Sequence, residues 1–427
     1  MKSTKVRLEL NNKQTTLAFK HAGTARHAWN WGVDICKKAS ENKEKLPSAI
    51  DLHKKLVAEV KPENLWYYEV SKCAPQEALR DLKDSAWSRF FRELKNGTIE
   101  KKKNSYISKQ KRKNQPINYK KLNDIGKPKF KKKGESDSFY LEGIKIVIKG
   151  NKIKLPVFGL VKLSEYFEEE LSVKNVVISK TAEEWFISFK QELPDLKTKG
   201  IESKPSVGVD LGIKTLAFLS DGKEFKNVKA FKINKRKLKL AQRKQSKKFN
   251  KDSKKQSNNY KKASKKVAKI HQKIANIRKD ATHKLTTYLA KNHSLIGIED
   301  LNVSGMMKNR KLSSAIADGG FYEFRRQLEY KSAWYGSKVV VIDRFFPSSK
   351  TCSCCGNVKE KLKLSERIFN CEACKSSIER DLNAAINIKN YAVSYTVNVC
   401  GESKNQPILV GTQRNRKQTT KKKLVKV

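Results

Sequence analysis

The sequence predicts a multidomain α/β protein, and three observations lead to this fold class. A chain of 427 residues is longer than one hydrophobic core usually serves, so roughly two to four domains are expected. Helical periodicity prevails over residues 20–96, whereas short apolar runs separated by polar turns follow in residues 139–193. After Pro205, strand-like and helical patterns alternate, which is typical of an α/β sheet with insertions.

The N-terminal half is expected to hold a helical domain inserted into a small β-barrel. The apolar runs in residues 139–193 have the length and turn spacing of barrel strands, and Val-Arg-Leu-Glu-Leu at residues 6–10 adds one more. The helical residues 20–96 then lie between two parts of that barrel. Residues 99–133 are rich in lysine and poor in apolar side chains, so we expect a loop that orders only on a nucleic acid or not at all.

The C-terminal half begins with a strand at residues 207–210 and a hairpin turn at Asp221-Gly222. A helical pattern dense in Lys and Arg follows at residues 235–279, with an interruption that predicts a helical hairpin. A solvated lysine face would explain it, but the segment contains almost no acidic partners, so we favour contact with phosphates. The remaining elements predicted are a strand at 295–299, a helix at about 321–335, a strand at 338–343 and a final helix from near Arg380.

Charge identifies the class of partner. The chain has 94 Lys plus Arg against 43 Asp plus Glu, a formal charge of +51, which is far more than solubility needs. A polyanion is the expected partner, although a ribosomal or chromatin-type binder without chemistry would show the same charge. Because the sequence lacks an apolar run of about 18 residues and a secretory signal, we expect an intracellular protein without a membrane partner.

Three carboxylates lie in apolar surroundings. Asp210 interrupts the strand Val-Gly-Val-Asp-Leu-Gly, and Glu299 ends the strand Leu-Ile-Gly-Ile-Glu. Asp381 opens the last helix on the same stripe as Ala385 and Ile388, so it is expected to face the sheet. Each acid alone has an ordinary explanation: Asp381 as a helix cap, Glu299 as a partner of a lysine, and Asp210 as a partner of a buried arginine.

Taken together, the three acids favour a divalent metal site. Converging carboxylates repel one another, and without cations at least one would be driven toward protonation. Two Mg²⁺ ions about 3.5 to 4 Å apart relieve this repulsion and suit the in-line displacement of a phosphodiester. Oxygen-only ligands favour Mg²⁺ or Mn²⁺ over zinc.

Five of the eight cysteines lie close together in the sequence. Cys352 with Cys355 and Cys371 with Cys374 form two Cys-x-x-Cys pairs separated by fifteen residues, a spacing typical of a four-thiolate zinc ribbon. A redox Cys-x-x-Cys explains one pair more readily than two. Cys354 is excluded by spacing, because Cys352 and Cys355 leave two residues between ligands.

Three longer motifs resemble one family. They are Ile316-Ala-Asp-Gly-Gly-Phe-Tyr-Glu-Phe-Arg-Arg-Gln-Leu-Glu-Tyr-Lys, Arg344-Phe-Phe-Pro-Ser-Ser-Lys-Thr-Cys-Ser-Cys-Cys-Gly and Glu379-Arg-Asp-Leu-Asn-Ala-Ala-Ile-Asn-Ile. They resemble TnpB, the transposon-associated family of RNA-guided nucleases related to type V CRISPR effectors. The resemblance covers residues 205–391 well, and the N-terminal half is similar mainly in layout.

The resemblance implies a RuvC-like nuclease of RNase H fold with Asp210, Glu299 and Asp381 as catalytic Mg²⁺ ligands and a structural zinc ribbon. It also implies a structured guide RNA from the transposon end, a double-stranded target DNA read next to a short protein-recognised motif, and a monomer in a 1:1 complex with RNA in the cytoplasm or nucleoid of a prokaryote. The implied domains are residues 1–18 and 138–200 as a β-barrel wedge domain, 19–137 as a helical recognition domain with a basic loop, 201–348 and 376–396 as the nuclease, 349–375 as the zinc ribbon, and 397–427 as a flexible basic tail.

Two other functions stay open at this point. One is a transposase or resolvase that cuts DNA with the same three acids and no guide. The other is an RNA-guided repressor that binds DNA without cutting it, as implied for relatives that have lost the acids. Because this chain keeps all three, RNA-guided cleavage is the favoured interpretation.

Overall fold

The chain divides into two compact units, Met1–Leu193 and Pro194–Val427. The computed structural model describes residues 2–135, 137–191, 201–253, 255–363 and 365–401. The expected flexible tail therefore lies outside the described residues from 402 onward, and residues 397–401 belong instead to the last helix.

The N-terminal unit consists of four strands and a set of helices. In chain order these are β1 (Lys2–Glu9), α1 (Asn12–Glu41), α2 (Ala49–Lys55), a π-helical segment (Leu56–Val60), a 3₁₀ segment (Leu65–Glu69), α3 (Cys73–Arg80), a second π-helical segment (Asp81–Trp87), α4 (Ser88–Lys95), α5 (Thr98–Lys111), α6 (Tyr119–Asn123), β2 (Ser138–Leu155), β3 (Gly159–Thr181) and β4 (Glu184–Gln191).

The four strands form an antiparallel sheet whose pairing closes on itself. The strand order is β1-β4-β3-β2, and β1 pairs in addition with the first part of β3, Leu8 opposite Leu163. Because the first strand also meets the third, the pairing of β1, β3 and β4 is closed, and the register of β2 on β3 is irregular between Glu142 and Ile146. The alternate inward residues of all four strands fill one core, against which α1 and α3 pack alanines.

The prediction of a loop at residues 99–133 was wrong in part, because α5 occupies Thr98–Lys111. Lys, Gln and Glu are good helix formers, and this helix contains neither Gly nor Pro to interrupt them. Ile99 is buried in the helical core and anchors the first turn. Further along, the side-chain amide of Asn30 makes two hydrogen bonds to the backbone of Lys131, so this part of the segment is fixed on α1.

The C-terminal unit carries the mixed sheet. Its elements are β5 (Ser206–Asp210), β6 (Thr215–Leu219), β7 (Glu224–Lys226), α7 (Ala230–Ser246), α8 (Asn258–Asn292), β8 (Leu295–Glu299), α9 (Val303–Met306), α10 (Ser313–Gly319), α11 (Phe321–Tyr335), β9 (Lys338–Ile342), β10 (Ile368–Asn370), β11 (Ser377–Glu379) and α12 (Arg380–Gly401).

Five strands of this unit form one sheet in the order β7-β6-β5-β8-β9. The first three are joined as antiparallel hairpins, whereas β8 and β9 run parallel to β5. Helices α8 and α11 cover one face of the sheet, where their apolar side chains share a core with Val207 and Val209. Helix α12 covers the other face. This order and direction of strands confirm the expected RNase H-like, RuvC-type fold within a multidomain α/β chain.

Candidate metal centres

Asp210 and Glu299 are placed side by side by the parallel strands β5 and β8. Gly208 pairs with Gly297 and Val209 with Ile298, so the next residues in register are the two acids. Side chains alternate between the faces of a strand, and both acids therefore lie on the face opposite Val209, toward α12. In each strand the apolar residues pair within the sheet, and the acid that follows them points toward α12.

Two glycines let α12 lie directly on this face. A β-carbon at Gly208 would stand 2.0 Å from the carbonyl oxygen of Ala385, and one at Gly297 would stand 2.9 Å from that of Ile388. No side chain fits at the first of these distances. The glycines two residues before Asp210 and Glu299 are therefore needed for α12 to pack against the two strands.

Asp381 lies near Asp210 because α12 runs antiparallel to β5. Moving from Gly208 to Asp210 advances about 6.6 Å along the strand, and moving from Ala385 back to Asp381 covers about 6 Å along the helix. All three acids line one cavity of about 1020 Å³ within the C-terminal unit. The structure thus brings together the three carboxylates that the sequence singled out.

The electrostatics of Asp210 reflect this convergence. Burial, followed by the negative charges of Glu299 and Asp381, raises the pKa of Asp210 from its ordinary value of 3.8 to about 7. The Arg380 guanidinium and a backbone hydrogen bond act in the opposite direction but do not cancel the effect. The site is therefore short of positive charge where the three acids meet.

The ordinary explanations for the three acids can be compared with their contacts. Asp381 is 3.4 Å from the guanidinium of Arg380, and Glu299 accepts a hydrogen bond of 2.6 Å from the hydroxyl of Ser348. By contrast, Asp300, the acid next to Glu299, is held by the guanidinium groups of Arg325 and Arg344, the first at 2.7 Å. Asp300 is thus an ion-paired structural acid. Glu299 has no such cation among its described contacts.

The four cysteines form the more compact centre. Their sulfurs lie within 4.8 Å of one another, and Cys352 to Cys374 and Cys355 to Cys371 are each separated by 3.6 Å. A tetrahedral zinc with Zn–S bonds of about 2.3 Å requires sulfur pairs about 3.8 Å apart, so the donors fit this ion. Cys354 is exposed and is not one of the four.

A neighbouring hydroxyl lowers the pKa of one of these thiols and so favours its metal-binding form. Ser376 lies 3.2 Å from the sulfur of Cys374 and lowers the pKa of that thiol. The thiolate is the form that binds metal. Across the parts of the chain that the structure describes, this is the only group of three or more His, Cys, Asp or Glu gathered closely enough to hold a single ion, and the three carboxylates form a wider site.

The basic segment forms the predicted helical hairpin of α7 and α8. A narrow apolar seam that includes Leu238, Val267 and Ile274 joins the two helices, and most of the lysines on their outer faces are exposed. At the base, Asp318 accepts hydrogen bonds from the backbone of Phe231 and from Arg278 at 2.8 Å. The outer surface of the hairpin is therefore positively charged.

A cavity of about 810 Å³ in the N-terminal unit was not among the sites predicted from the sequence. Most of its lining comes from one face of α1 and from the 3₁₀ segment, and includes Phe19, Arg26, His27 and Trp66, with Lys133 from the segment before β2. Two carboxylates also line it, and one of them, Asp137, pairs with Arg26 at 2.7 Å. The sequence carries no signal for it, since aromatic residues at helical spacing are usually core. Other aromatic residues of this unit, such as Trp87 and Tyr67, are indeed buried.

Three family descriptions match separate parts of the chain. A family described as "Probable transposase" matches residues 187–310, and one described as "Cas12f1-like, TNB domain" matches residues 321–388. A third, "Helix-turn-helix domain", matches residues 1–45, a range that contains the strand β1 and the helix α1. Within the described ranges, every helix is too short or too polar to span a membrane.

Individual proteins show the same similarity. The chain is 37% identical over 291 residues to "Putative RNA-guided DNA endonuclease InsQ" of Escherichia coli strain K12, covering 64% of this chain and 70% of that protein. It is 34% identical over 116 residues to "TnpB-like protein L79" of Acanthamoeba polyphaga mimivirus, covering 26% and 22%. Among solved structures, the mini RNA-guided endonuclease CRISPR-Cas_phi3 matches with a TM-score of 0.47 at 10% identity over 92% of each chain.

Proposed function

The chain belongs to the TnpB family, and we propose that it is an RNA-guided DNA endonuclease that hydrolyses phosphodiester bonds of a target duplex. The observation that carries the proposal is the convergence of Asp210, Glu299 and Asp381 at the edge of the mixed sheet. Three converging carboxylates repel one another, and a bound cation would relieve this repulsion. Their convergence in a chain with a formal charge of +51 therefore favours a cation site.

The three acids would hold divalent metal, with Mg²⁺ as the natural ion for a set of carboxylate oxygens. Bound there, Mg²⁺ would supply activation of water and stabilisation of the leaving 3′ oxygen. The protein's part is to place the carboxylates. Asp210 and Glu299 are fixed by strand register and Asp381 by the packing of α12. Arg380, which lines the same cavity, supplies a positive charge beside the acids and is suited to contact a phosphate.

Cys352, Cys355, Cys371 and Cys374 would hold a structural zinc, because four thiolates leave no open position for substrate. The helical hairpin of α7 and α8 would contact nucleic acid backbones, and the aromatic side chains that line the cavity of the N-terminal unit are suited to stack on an unpaired base. Guide RNA and target DNA together are a large polyanion, in keeping with the charge of the chain.

The domain roles follow the same assignment. The closed sheet of β1 to β4 would be the wedge domain and the helices inserted after β1 the recognition domain. The mixed sheet would be the nuclease and the segment around the cysteines the zinc ribbon. We propose one protein chain per RNA, acting on DNA in a prokaryotic cell and reading a short motif beside the target.

A guide-independent nuclease is the second candidate, favoured by the transposase family that matches residues 187–310. The two are separated by expressing the protein with its flanking transposon DNA, sequencing the RNA that co-purifies, and testing cleavage of two duplexes in Mg²⁺. We expect a discrete RNA, and we expect that exchanging its guide segment redirects cleavage to the matching duplex. Cleavage that ignores the exchange supports the second candidate. Binding of the matched duplex without cleavage supports a repressor.

A further inference from the structure

We infer that Ser348 is a positioning residue that orients Glu299, and that Asn387 of α12 holds Ser348 in place. Ser348 lies in the turn that leads into the first cysteine pair. The inference rests on the proposed function, in which Glu299 binds the catalytic cation. It extends that site to a serine and an asparagine that have no direct role in binding metal, and it connects the zinc ribbon to cation binding.

Ser348 makes a short contact with the acid. Its hydroxyl donates to Oε1 of Glu299 at 2.6 Å, a length typical of a hydrogen bond from a hydroxyl to a carboxylate. Ser348 is only 6% exposed, and Glu299 is partly buried. A glutamate has three rotatable side-chain bonds, so a fixed donor on one oxygen limits the directions in which the carboxylate can point.

Ser348 is in turn fixed from α12. The side-chain amide of Asn387 donates to the carbonyl oxygens of Ser348 at 2.8 Å and of Thr351 at 2.6 Å. One turn earlier, Asn383 donates to the same Thr351 oxygen at 2.7 Å and accepts from the backbone N–H of Ser353 at 2.9 Å. A buried amide is costly unless its hydrogen bonds are made, and both asparagines direct these bonds to this one segment.

The asparagines are buried, Asn383 at 0% exposure and Asn387 at 5%. They are four residues apart and so lie on one face of α12, while Asp381 and Ala385 lie on the face that meets the sheet. One helix therefore presents an acid to the cation site and holds the segment that orients a second acid. A displacement of α12 would move both carboxylates.

The same segment leads into the zinc site. Cys352 stands between Thr351 and Ser353, whose backbones Asn383 holds, and the backbone N–H groups of Lys350 and Thr351 both donate to the carbonyl oxygen of Pro347 at 3.0 Å. Ser348 is inside this turn. Zinc bound at Cys352 would therefore fix the end of the turn that carries the serine, and the first cysteine pair would support the orientation of Glu299.

The test uses the RNA-bound protein and compares Ser348→Ala, Ser348→Thr and, as the matched control, Ser353→Ala. Ser353 contributes its backbone N–H to the network, and the alanine variant retains that group. Two quantities are measured at increasing Mg²⁺: the single-turnover cleavage rate of a matched duplex, and the unfolding temperature. The unfolding temperature of Asp210→Ala, measured in parallel, accounts for Mg²⁺ bound by RNA.

Ser348→Ala should keep its zinc, its RNA and its affinity for target DNA. Its Mg²⁺ midpoint for cleavage should rise roughly tenfold, and the Mg²⁺ concentration at which its unfolding temperature begins to rise should increase by the same factor, as expected for removing one charge-assisted hydrogen bond. Ser348→Thr retains the hydroxyl and should restore the wild-type midpoint, and Ser353→Ala should not change it. A wild-type Mg²⁺ midpoint in Ser348→Ala would overturn the inference.

Asn387→Ala tests the second half of the inference. It should raise the Mg²⁺ midpoint as Ser348→Ala does, and the double variant should add little, because both changes interrupt one series of hydrogen bonds. If Asn387→Ala lowers only the unfolding temperature and leaves the midpoint unchanged, Asn387 is structural and not a positioning residue. Glu299→Ala separates this failure from failure of the proposed function: if it cuts at the wild-type rate, the cation site itself is misassigned.

Discussion

Replacing Asp210 by Asn should stabilise the protein in the absence of Mg²⁺, and by an amount that depends on pH. In the folded protein the Asp210 carboxyl holds its proton up to about pH 7, because its pKa is raised from the ordinary value of 3.8. The folded state is therefore penalised progressively as the pH rises from about 4 to about 7, and fully above it. Each tenfold change in proton affinity is worth about 1.4 kcal/mol, so the penalty is about 4 kcal/mol at pH 8 and about 2 kcal/mol at pH 5.

Asparagine has the same shape without the charge, so the variant should recover most of this penalty at pH 8 and less at pH 5. The assay is chemical unfolding of zinc-loaded protein in buffer without other divalent cations, followed at both pH values. Asp300→Asn is the matched control. Because Asp300 is paired with Arg325 and Arg344, its replacement should destabilise the protein at pH 8. An advantage of Asp210→Asn that is equal at pH 5 and pH 8, or absent at both, would refute the explanation by charge repulsion.

Three further predictions concern the zinc, the basic hairpin and the packing of α12. Cys354→Ser should retain one zinc per chain in metal analysis and Cys371→Ser should not, since Cys354 stands outside the group of four; equal depletion in both would mean that the ligand assignment is wrong. Exchanging Lys261, Lys262, Lys266 and Lys273 of α8 for Gln should flatten the dependence of log affinity on log salt, by about 0.7 to 0.9 for each phosphate that is no longer neutralised. Arg at the same positions should keep the slope. An unchanged slope with Gln would mean that the lysines of the hairpin are only solvated and do not contact phosphates. Gly208→Ala should lower the unfolding temperature and abolish cleavage, because its β-carbon would overlap the backbone of α12; normal behaviour of this variant would show that α12 does not lie on β5 as described.

Much of the candidate site could be predicted because it depends on local pattern. An acid at the end of an apolar strand and an acid on the buried stripe of a helix can be recognised from periodicity, and this applied to Asp210, Glu299 and Asp381. The four cysteines were predicted from spacing alone. The fold class followed from the alternation of strand and helix patterns together with the family resemblance.

The parts that the sequence did not predict depend on contacts between distant segments. Ser348 is 49 residues from Glu299, and nothing in the local sequence indicates that its hydroxyl meets that carboxylate. The role of Gly208 is visible only once α12 is seen lying on the strand. The error at residues 99–133 had another cause. Low apolar content predicts a segment that orders only on a nucleic acid or not at all, but α5 contains many helix formers and neither Gly nor Pro, and Ile99 anchors its first turn in the core.

The measurement that tests the central claim most directly is single-turnover cleavage of a guide-matched duplex in Mg²⁺ by the RNA-bound wild type, Asp210→Ala, Asp381→Ala and the double variant, with target binding measured for each. If the acids act as one metal centre, each single variant binds the duplex as the wild type does and cuts it orders of magnitude more slowly, and the double variant is little worse than either. If Asp210→Ala binds normally and cuts at near the wild-type rate, the metal assignment is wrong and Asp210 is a structural acid.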